Sequence, residues 1–366
     1  MSTSADHNSA KLFTTAPPMA IDCAARAAPR SLETAELPQP VRNRHETAAG
    51  QFAPPPPKTA VIGAGGFLGS GLLAAYRTYY PDALGTRREF ANGQPRLDLA
   101  AADIGLLRLV ESGYQAAVIA AGLTNVAACQ RDAQFAFSRN VAGTLRLAAQ
   151  LAALGLKTIF LSSDYVFDGV RGGYDDDATQ RPLNVYGACK AQVERRLPEV
   201  CGGNFLIVRL AKVFGLAAGD GTLLDEMAAR LSQGRPVRAA TDQVFCPTYV
   251  GDVVRAVLSL QAAGACGIFN VCAPEAWRRS DLAAAVAAAL VAAPTLVEEI
   301  SLGDLGEGFV RPRRTNMECR KLVATGSLQA PIEFRSIRAC LEDVAAHYPR
   351  RTNPDGKDGN RAGCAA

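Results

Sequence analysis

Tyr186 and Lys190 stand four residues apart in the run Tyr186-Gly187-Ala188-Cys189-Lys190, a spacing that puts both side chains on one face of a helix. A free phenol loses its proton near pH 10, about three units too high for ready exchange at neutrality. An ammonium beside it favours the phenolate, so Lys190 is expected to lower the pKa of Tyr186 and fit the pair for acid–base work on a carbonyl or alcohol. Ser163, inside the run 161–169 of sequence Leu-Ser-Ser-Asp-Tyr-Val-Phe-Asp-Gly, directly follows a strand-like stretch. Its hydroxyl can donate to the same oxygen that Tyr186 would protonate. Asp164 and Asp168 read equally as acids or as turn-making and capping residues.

The second chemical signal is residues 61–69, Val-Ile-Gly-Ala-Gly-Gly-Phe-Leu-Gly, placed after a strand and at the start of a helix. Gly63 suits a tight turn, Gly65 and Gly66 lack the β-carbon that would hold a pyrophosphate away, and Gly69 lets the helix pack close on the strand. Helix-start N–H groups then face the phosphates of a dinucleotide. At the end of the next strand the chain reads Gly85-Thr86-Arg87-Arg88, and two guanidinium forks there suit the 2′-phosphate of NADPH. NADH is the alternative, with Glu89 as the acid on the ribose. Asp98 is placed either to reach the adenine or to cap a helix.

These residues need a scaffold, and the 366-residue chain has the composition to build one: 48% apolar, 20% charged, net charge +4. That small excess gives no reason to expect nucleic acid as a partner. The longest apolar run, 282–293, has 12 residues, short of the roughly 20 that span a membrane, and reads as an Ala-rich buried helix. Ten cysteines without a C-x-x-C pair point to free thiols in a reducing compartment, hence a cytoplasmic location. The three histidines, His7, His45 and His347, lie in a leader-like segment and near the C-terminal end, so neither His-based nucleophilic catalysis nor a metal site is expected.

Residues 1–57 hold 9 of the 21 prolines and balanced charge, and read as a disordered leader; 350–366 reads as a flexible tail. Between them strand-like runs at 59–62, 83–86, 116–120, 158–162 and 205–209 alternate with helical patterns at 67–79, 135–153 and 185–197. This rhythm predicts an α/β fold, a Rossmann-type doubly wound parallel sheet over 58–215. A mainly substrate-binding lobe is expected over 216–349, with 267–271 returning to the sheet. Trp277, the only tryptophan, is expected to pack against that lobe, with stacking on a base as the alternative.

Taken together, the motifs resemble the extended short-chain dehydrogenase/reductase superfamily and, within it, the dTDP-4-dehydrorhamnose reductase branch. Residues 63–69, 97–99, 120–126, 162–169, 182–190, 209–215, 242–252 and 311–322 carry the likeness. The resemblance implies NADPH-dependent reduction of the C4 keto group of a nucleotide-linked 4-keto-6-deoxyhexose, and is compatible with a homodimer. It places Ser163, Tyr186 and Lys190 on the catalytic residues. Gly63, Gly65, Gly66, Phe67, Leu68, Gly69, Asp98, Ala120 and Ala121 would then meet the cofactor, and Thr124, Asp164, Tyr165, Lys212 and Arg311 the substrate. Two departures concern the sugar. Lys212 stands where the branch commonly has an aromatic residue, and 126–130 reads Val-Ala-Ala-Cys-Gln in place of a segment that often carries acids. Two other functions remain open: a non-catalytic subunit like the regulatory subunit of methionine adenosyltransferase, and a sugar-nucleotide epimerase or dehydratase.

Overall fold

Three of the four residues of Thr59–Ile62 (β1) are β-branched and all four are buried, the mark of a strand covered on both faces. The computed structural model describes residues 54–89, 93–306, 308–324 and 332–348. The leader expected over 1–57 falls outside these residues apart from 54–57, and the tail expected over 350–366 falls wholly outside them. Phe67–Arg77 (α1) follows β1, then Gly85–Thr86 (β2), Ala116–Ile119 (β3), and the helices Val126–Arg131 (α2), Ala133–Phe137 (α3) and Thr144–Ala153 (α4). Next come Lys157–Ser163 (β4), Val185–Cys201 (α5), Phe205–Leu210 (β5) and Val213–Phe214 (β6).

The later elements are Leu223–Ser232 (α6), Val237–Ala240 (β7), Val244–Phe245 (β8), Thr248–Tyr249 (β9) and Val250–Ala262 (α7). Gly267–Val271 (β10), Trp277–Arg278 (β11), Arg279–Ala289 (α8), Val297–Ile300 (β12), Arg320–Ala324 (α9) and Ile337–His347 (α10) complete them.

Six strands form one sheet in the order β10-β5-β4-β3-β1-β2, every neighbouring pair parallel. Residues 267–271 do return to the sheet, as its edge strand beside β5. One face is covered by Leu147, Leu151, Val193 and Leu197 from α4 and α5, the other by Leu72, Tyr76, Val253 and Val257 from α1 and α7. The strand order reverses between β1 and β3, whose last residues Ile62 and Ile119 are in register. Ligands of such sheets bind in the crevice at that reversal.

A third core joins α6, α8 and α10, with Leu224, Leu231, Leu282, Val286 and Leu341 buried together. The Ala-rich run expected to be buried thus lies largely in α8, whose Leu282, Ala283, Val286 and Ala287 face inward. Trp277 packs against this core, and its indole N–H donates to Glu275 at 2.9 Å.

The single helix expected over 135–153 is broken. Residues Ser138–Gly143 form a π-helical segment between α3 and α4. The cause is tertiary: buried Asn140 accepts from the Leu123 N–H at 2.8 Å and donates to the Leu123 carbonyl at 2.9 Å, bracing the loop after β3. Such bulges are frequent at functional sites.

Candidate active site

Gly63 adopts φ +97°, and a β-carbon there would lie 2.5 Å from the Ala121 nitrogen. A β-carbon on Gly69 would lie 2.2 Å from the Gly63 carbonyl oxygen, so α1 can pack this close only with glycine. Helix α1 starts at Gly66 without a capping side chain, leaving first-turn N–H groups at the cleft. Gly63, Gly65, Gly66, Arg87, Arg88, Asp98, Ala120 and Ala121 line one cavity of about 420 Å³. Arg87 lies against the loop, since a β-carbon on Gly65 would meet its Nε at 2.8 Å. A phosphate cradle with a guanidinium alongside fits a dinucleotide. Arg88 is exposed and pairs with Glu89 at 3.4 Å.

Asp98 caps a short turn while lining the same cavity. It accepts from the Ala100 N–H at 3.0 Å and pairs with Arg139 at 2.6 Å. Asp168 is likewise a turn residue, accepting from the Val170 N–H at 3.1 Å and from the Tyr174 hydroxyl.

Ser163, Tyr186 and Lys190 come together in a second cavity of about 450 Å³, which shares Gly66, Ala120, Ala121 and Gly122 with the first. Phe67, Leu68, Gly69, Thr124, Asp164, Tyr165, Lys212 and Arg311 line it too. The placement follows from two elements. Strand β4 ends at Ser163, at the carboxyl edge of the sheet, while Asn184 caps α5 by accepting from the Gly187 N–H at 2.9 Å. Tyr186, Lys190 and Glu194 then follow one another on the same helix face.

The electrostatics differ from the sequence expectation. Burial pushes the Tyr186 phenol well above its ordinary value, and the neighbouring Ser163 hydroxyl acts in the opposite direction. The Lys190 ammonium donates to the Leu161 carbonyl at 2.7 Å and lies 5.8 Å from the centre of the Tyr186 ring. Burial lowers Lys190 itself to about 8, against the pull of Glu194. The protein therefore holds Tyr186 as a neutral, proton-bearing phenol, the form a reduction requires of its acid. Ser163 donates to Asp164 at 2.9 Å and accepts from the Tyr165 N–H at 3.2 Å. Burial raises Asp164 to about 6, while Thr315 and Ser163 hold it down.

Glu194 and Arg279 escaped the sequence reading, while Gln243 and Thr315 entered it only as parts of the segments that carry the likeness. Glu194 is fully buried and pairs with Arg209 at 2.8 Å; it also accepts from Ser162, next to Ser163. Arg279 donates to Gln243 at 2.6 Å, and both line the site with Thr315. Segment 313–315 is threaded between the Gly169 turn and β8 by backbone bonds Arg314 N–H to Gly169 at 2.9 Å and Thr315 N–H to Val244 at 2.8 Å. Arg311 donates to the Tyr165 hydroxyl at 3.1 Å.

A larger cavity of about 940 Å³ between α8 and α10 is lined by Trp277, Leu341 and Tyr348 and holds none of these reactive groups. Among the described residues no group of three or more His, Cys, Asp or Glu is placed to hold a metal ion, and no helix is long and apolar enough to cross a membrane. The eight cysteines among them are free; Cys272 and Cys319 touch at 3.1 Å as a thiol pair.

The sequence matches the RmlD substrate binding domain family over residues 58–346. This chain belongs to that family. Among relatives of this RmlD-family chain is a probable low-salt glycan biosynthesis reductase, Agl14, of Haloferax volcanii, 29% identical over 70% of this chain and 88% of the relative. The dTDP-4-dehydrorhamnose reductase of Mycobacterium tuberculosis is 31% identical over 57% of this chain and 67% of its own length. Methionine adenosyltransferase 2 subunit beta of Danio rerio is 28% identical over 74% and 85%. In fold, the RmlD-family chain is similar to the dTDP-4-dehydrorhamnose reductase of Bacillus anthracis in complex with NADP, with a TM-score of 0.68 at 24% identity over 80% of this chain and 99% of that one. The α/β architecture expected from the sequence is thus that of the family.

Proposed function

We propose that this protein is an NADPH-dependent reductase of the C4 keto group of a nucleotide-linked 4-keto sugar, the 4-keto-6-deoxyhexose class that includes dTDP-4-dehydrorhamnose. The observation that carries the reading is the meeting of the two cavities: Ser163, Tyr186 and Lys190 face a space that opens onto the phosphate loop at Gly66 and Ala120–Gly122. Bound NADPH supplies a hydride to the carbonyl carbon. Tyr186 gives its proton to the carbonyl oxygen as negative charge grows there, and Ser163 donates a hydrogen bond to that oxygen. Lys190, in reach of the cleft, holds the nicotinamide ribose, while Gly63–Gly69 and Arg87 hold the phosphates. The test is NADPH oxidation screened against a panel of 4-keto sugar nucleotides. Oxidation dependent on one of them supports the reading. Its absence across the panel, with retained cofactor binding, favours a regulatory subunit, for which the similarity to methionine adenosyltransferase 2 subunit beta speaks.

Two predictions arise here. Arg87→Ala with Arg88→Ala is expected to weaken NADPH at least about tenfold more than NADH, since a charge-assisted contact to the 2′-phosphate is worth about 1.5–3 kcal/mol. Equal losses, read by fluorescence titration, would place the 2′-phosphate elsewhere. The second concerns pH. Lys190 keeps its charge only below about 8, so the rate should fall as pH rises through that value. A pH profile of kcat/KM that stays flat on the alkaline side contradicts the assignment.

A further inference from the structure

Three thiols meet in a small core behind the site cavity. Ala211, which lines the cavity, packs there with Phe167, Met317, Cys246 and Cys272, and Cys319 lies against them. Cys272 directly follows β10 at the sheet edge, and Cys319 directly precedes α9. Their sulfurs are 3.1 Å apart although the residues are 47 positions apart in the chain. The Cys319 sulfur also accepts from the Cys272 N–H at 3.2 Å. The Cys272 and Cys246 thiols donate to the Met317 carbonyl at 3.4 and 3.8 Å. The three differ in access. Cys246 and Cys272 are 1% and 2% exposed, whereas Cys319 is half-buried. Hydrogen bonds with Cys246 and Cys319, and then burial, push the Cys272 thiol well above its ordinary value. The thiolate is the attacking form in disulfide exchange, so an oxidant from solvent meets Cys319 first and Cys272 second. The chain leading to Cys319 walls the site. Thr315 lines the cavity, and the backbone over 313–318 is held by hydrogen bonds to Val244, Gly169 and Tyr174. Asn270 of β10 adds a bond to the Glu318 carbonyl at 3.0 Å.

We propose that Cys272 and Cys319 form a reversible redox latch, whose disulfide ties the cavity wall at 313–319 to the edge strand of the sheet. Closure takes two exchange steps with a small-molecule disulfide such as oxidised glutathione. The Cys319 thiolate attacks one sulfur of the oxidant, the S–S bond of the oxidant breaks, and one thiolate leaves. The Cys272 sulfur then attacks the Cys319 sulfur of the mixed disulfide. The second thiolate leaves and takes up the Cys272 proton. The protein has lost two electrons and two protons, and the oxidant has become two thiols. A disulfide of about 2.05 Å needs the sulfurs about 1 Å closer than the thiols stand, a shift within reach of side-chain rotation. The new bond bridges 47 positions of chain, constrains the unfolded state and so stabilises the folded one. It also replaces exchangeable hydrogen bonds with a covalent tie beside Thr315, so local opening of the wall becomes rarer.

The experiment is titration of the full-length protein with glutathione redox buffers, read by peptide mass mapping, calorimetry and hydrogen exchange. The parent should become lighter by two hydrogens, with the new bond mapped to Cys272 and Cys319. Its Tm should rise by about 5 °C, and amide exchange over 313–319 should slow at least about threefold. Dithiothreitol should reverse all three changes. Cys319→Ser and Cys272→Ser should each abolish them, and Cys266→Ser, which removes an exposed thiol elsewhere, should retain them. Mapping on the parent needs no variant, so the test survives if Cys272→Ser fails to fold. A parent that stays fully reduced across the titration overturns the latch. So does a glutathione that remains on Cys319 without resolution, or a bond mapped to Cys246. A closed Cys272–Cys319 bond that changes neither Tm nor exchange over 313–319 overturns it too.

Discussion

Tyr186→Phe is expected to lower kcat for carbonyl reduction by a factor of about 10²–10⁴, the usual worth of a positioned general acid. NADPH affinity should stay within a few-fold of the parent. The substitution deletes one hydroxyl and keeps the ring, which packs edge-on to Tyr165 with centroids 6.0 Å apart. Packing and stability therefore change little. Because burial keeps the phenol protonated, the variant loses a proton donor and not a charge, and the alkaline fall in rate should persist at reduced height. Stopped-flow reduction with saturating NADPH separates the outcomes. Activity within a few-fold of the parent would remove Tyr186 from the acid role.

Glu194→Ala is expected to be the most damaging single change to stability. Glu194 and Arg209 are buried together, 0% and 3% exposed at their side chains, and Arg209 forks onto the carboxylate with Nε at 3.0 Å and Nη2 at 2.8 Å. Removing one partner of such a pair costs about 3–5 kcal/mol, because the other charge stays buried without compensation. A domain stable by about 5–15 kcal/mol loses a large share of its margin. Arg209 lies on β5 in register with Ser162, whose hydroxyl also donates to Glu194, so the damage reaches the strand end that presents Ser163. Glu194 also holds the Lys190 pKa up, so its loss should shift the alkaline limb of activity to lower pH. Urea unfolding measures the first effect. The double variant Glu194→Leu with Arg209→Met, which removes both charges, should recover most of the lost stability. If the double variant is no more stable than Glu194→Ala, an uncompensated charge is not the cause.

The parts of this site that are local in sequence were legible there. Gly63–Gly69 announce a glycine turn under a helix start because the turn, the close approach and the helix start all fall within one β-to-α junction. Tyr186 and Lys190 announce a shared helix face by spacing alone, and Ser163 by following a strand. What the sequence could not convey is set by burial and by contacts between distant segments. The phenol of Tyr186 is governed by how deeply it is covered, and Lys190 turns to the Leu161 carbonyl. Asn140 breaks a helix whose apolar period is continuous, because its side chain braces a loop 17 residues upstream. Thr315 reaches the cavity because the chain near 313–315 threads beside β8, and Arg279 reaches it because β11 pairs with β8 and brings it against Gln243. Glu194 has a detectable signal, four residues after Lys190 on the same face, but its meaning depends on Arg209 arriving from the next strand.

The central claim is that Tyr186 donates a proton beside a nicotinamide that delivers hydride to a sugar carbonyl. The most direct measurement is turnover of a 4-keto sugar nucleotide with NADPH deuterated at C4 on the transferred face, read by mass spectrometry and NMR of the product. The account predicts one deuterium on the new carbinol carbon of the sugar, from parent protein at full rate and from Tyr186→Phe only at the residual rate. A product carrying no deuterium, or equal rates of labelling by the two proteins, would contradict it.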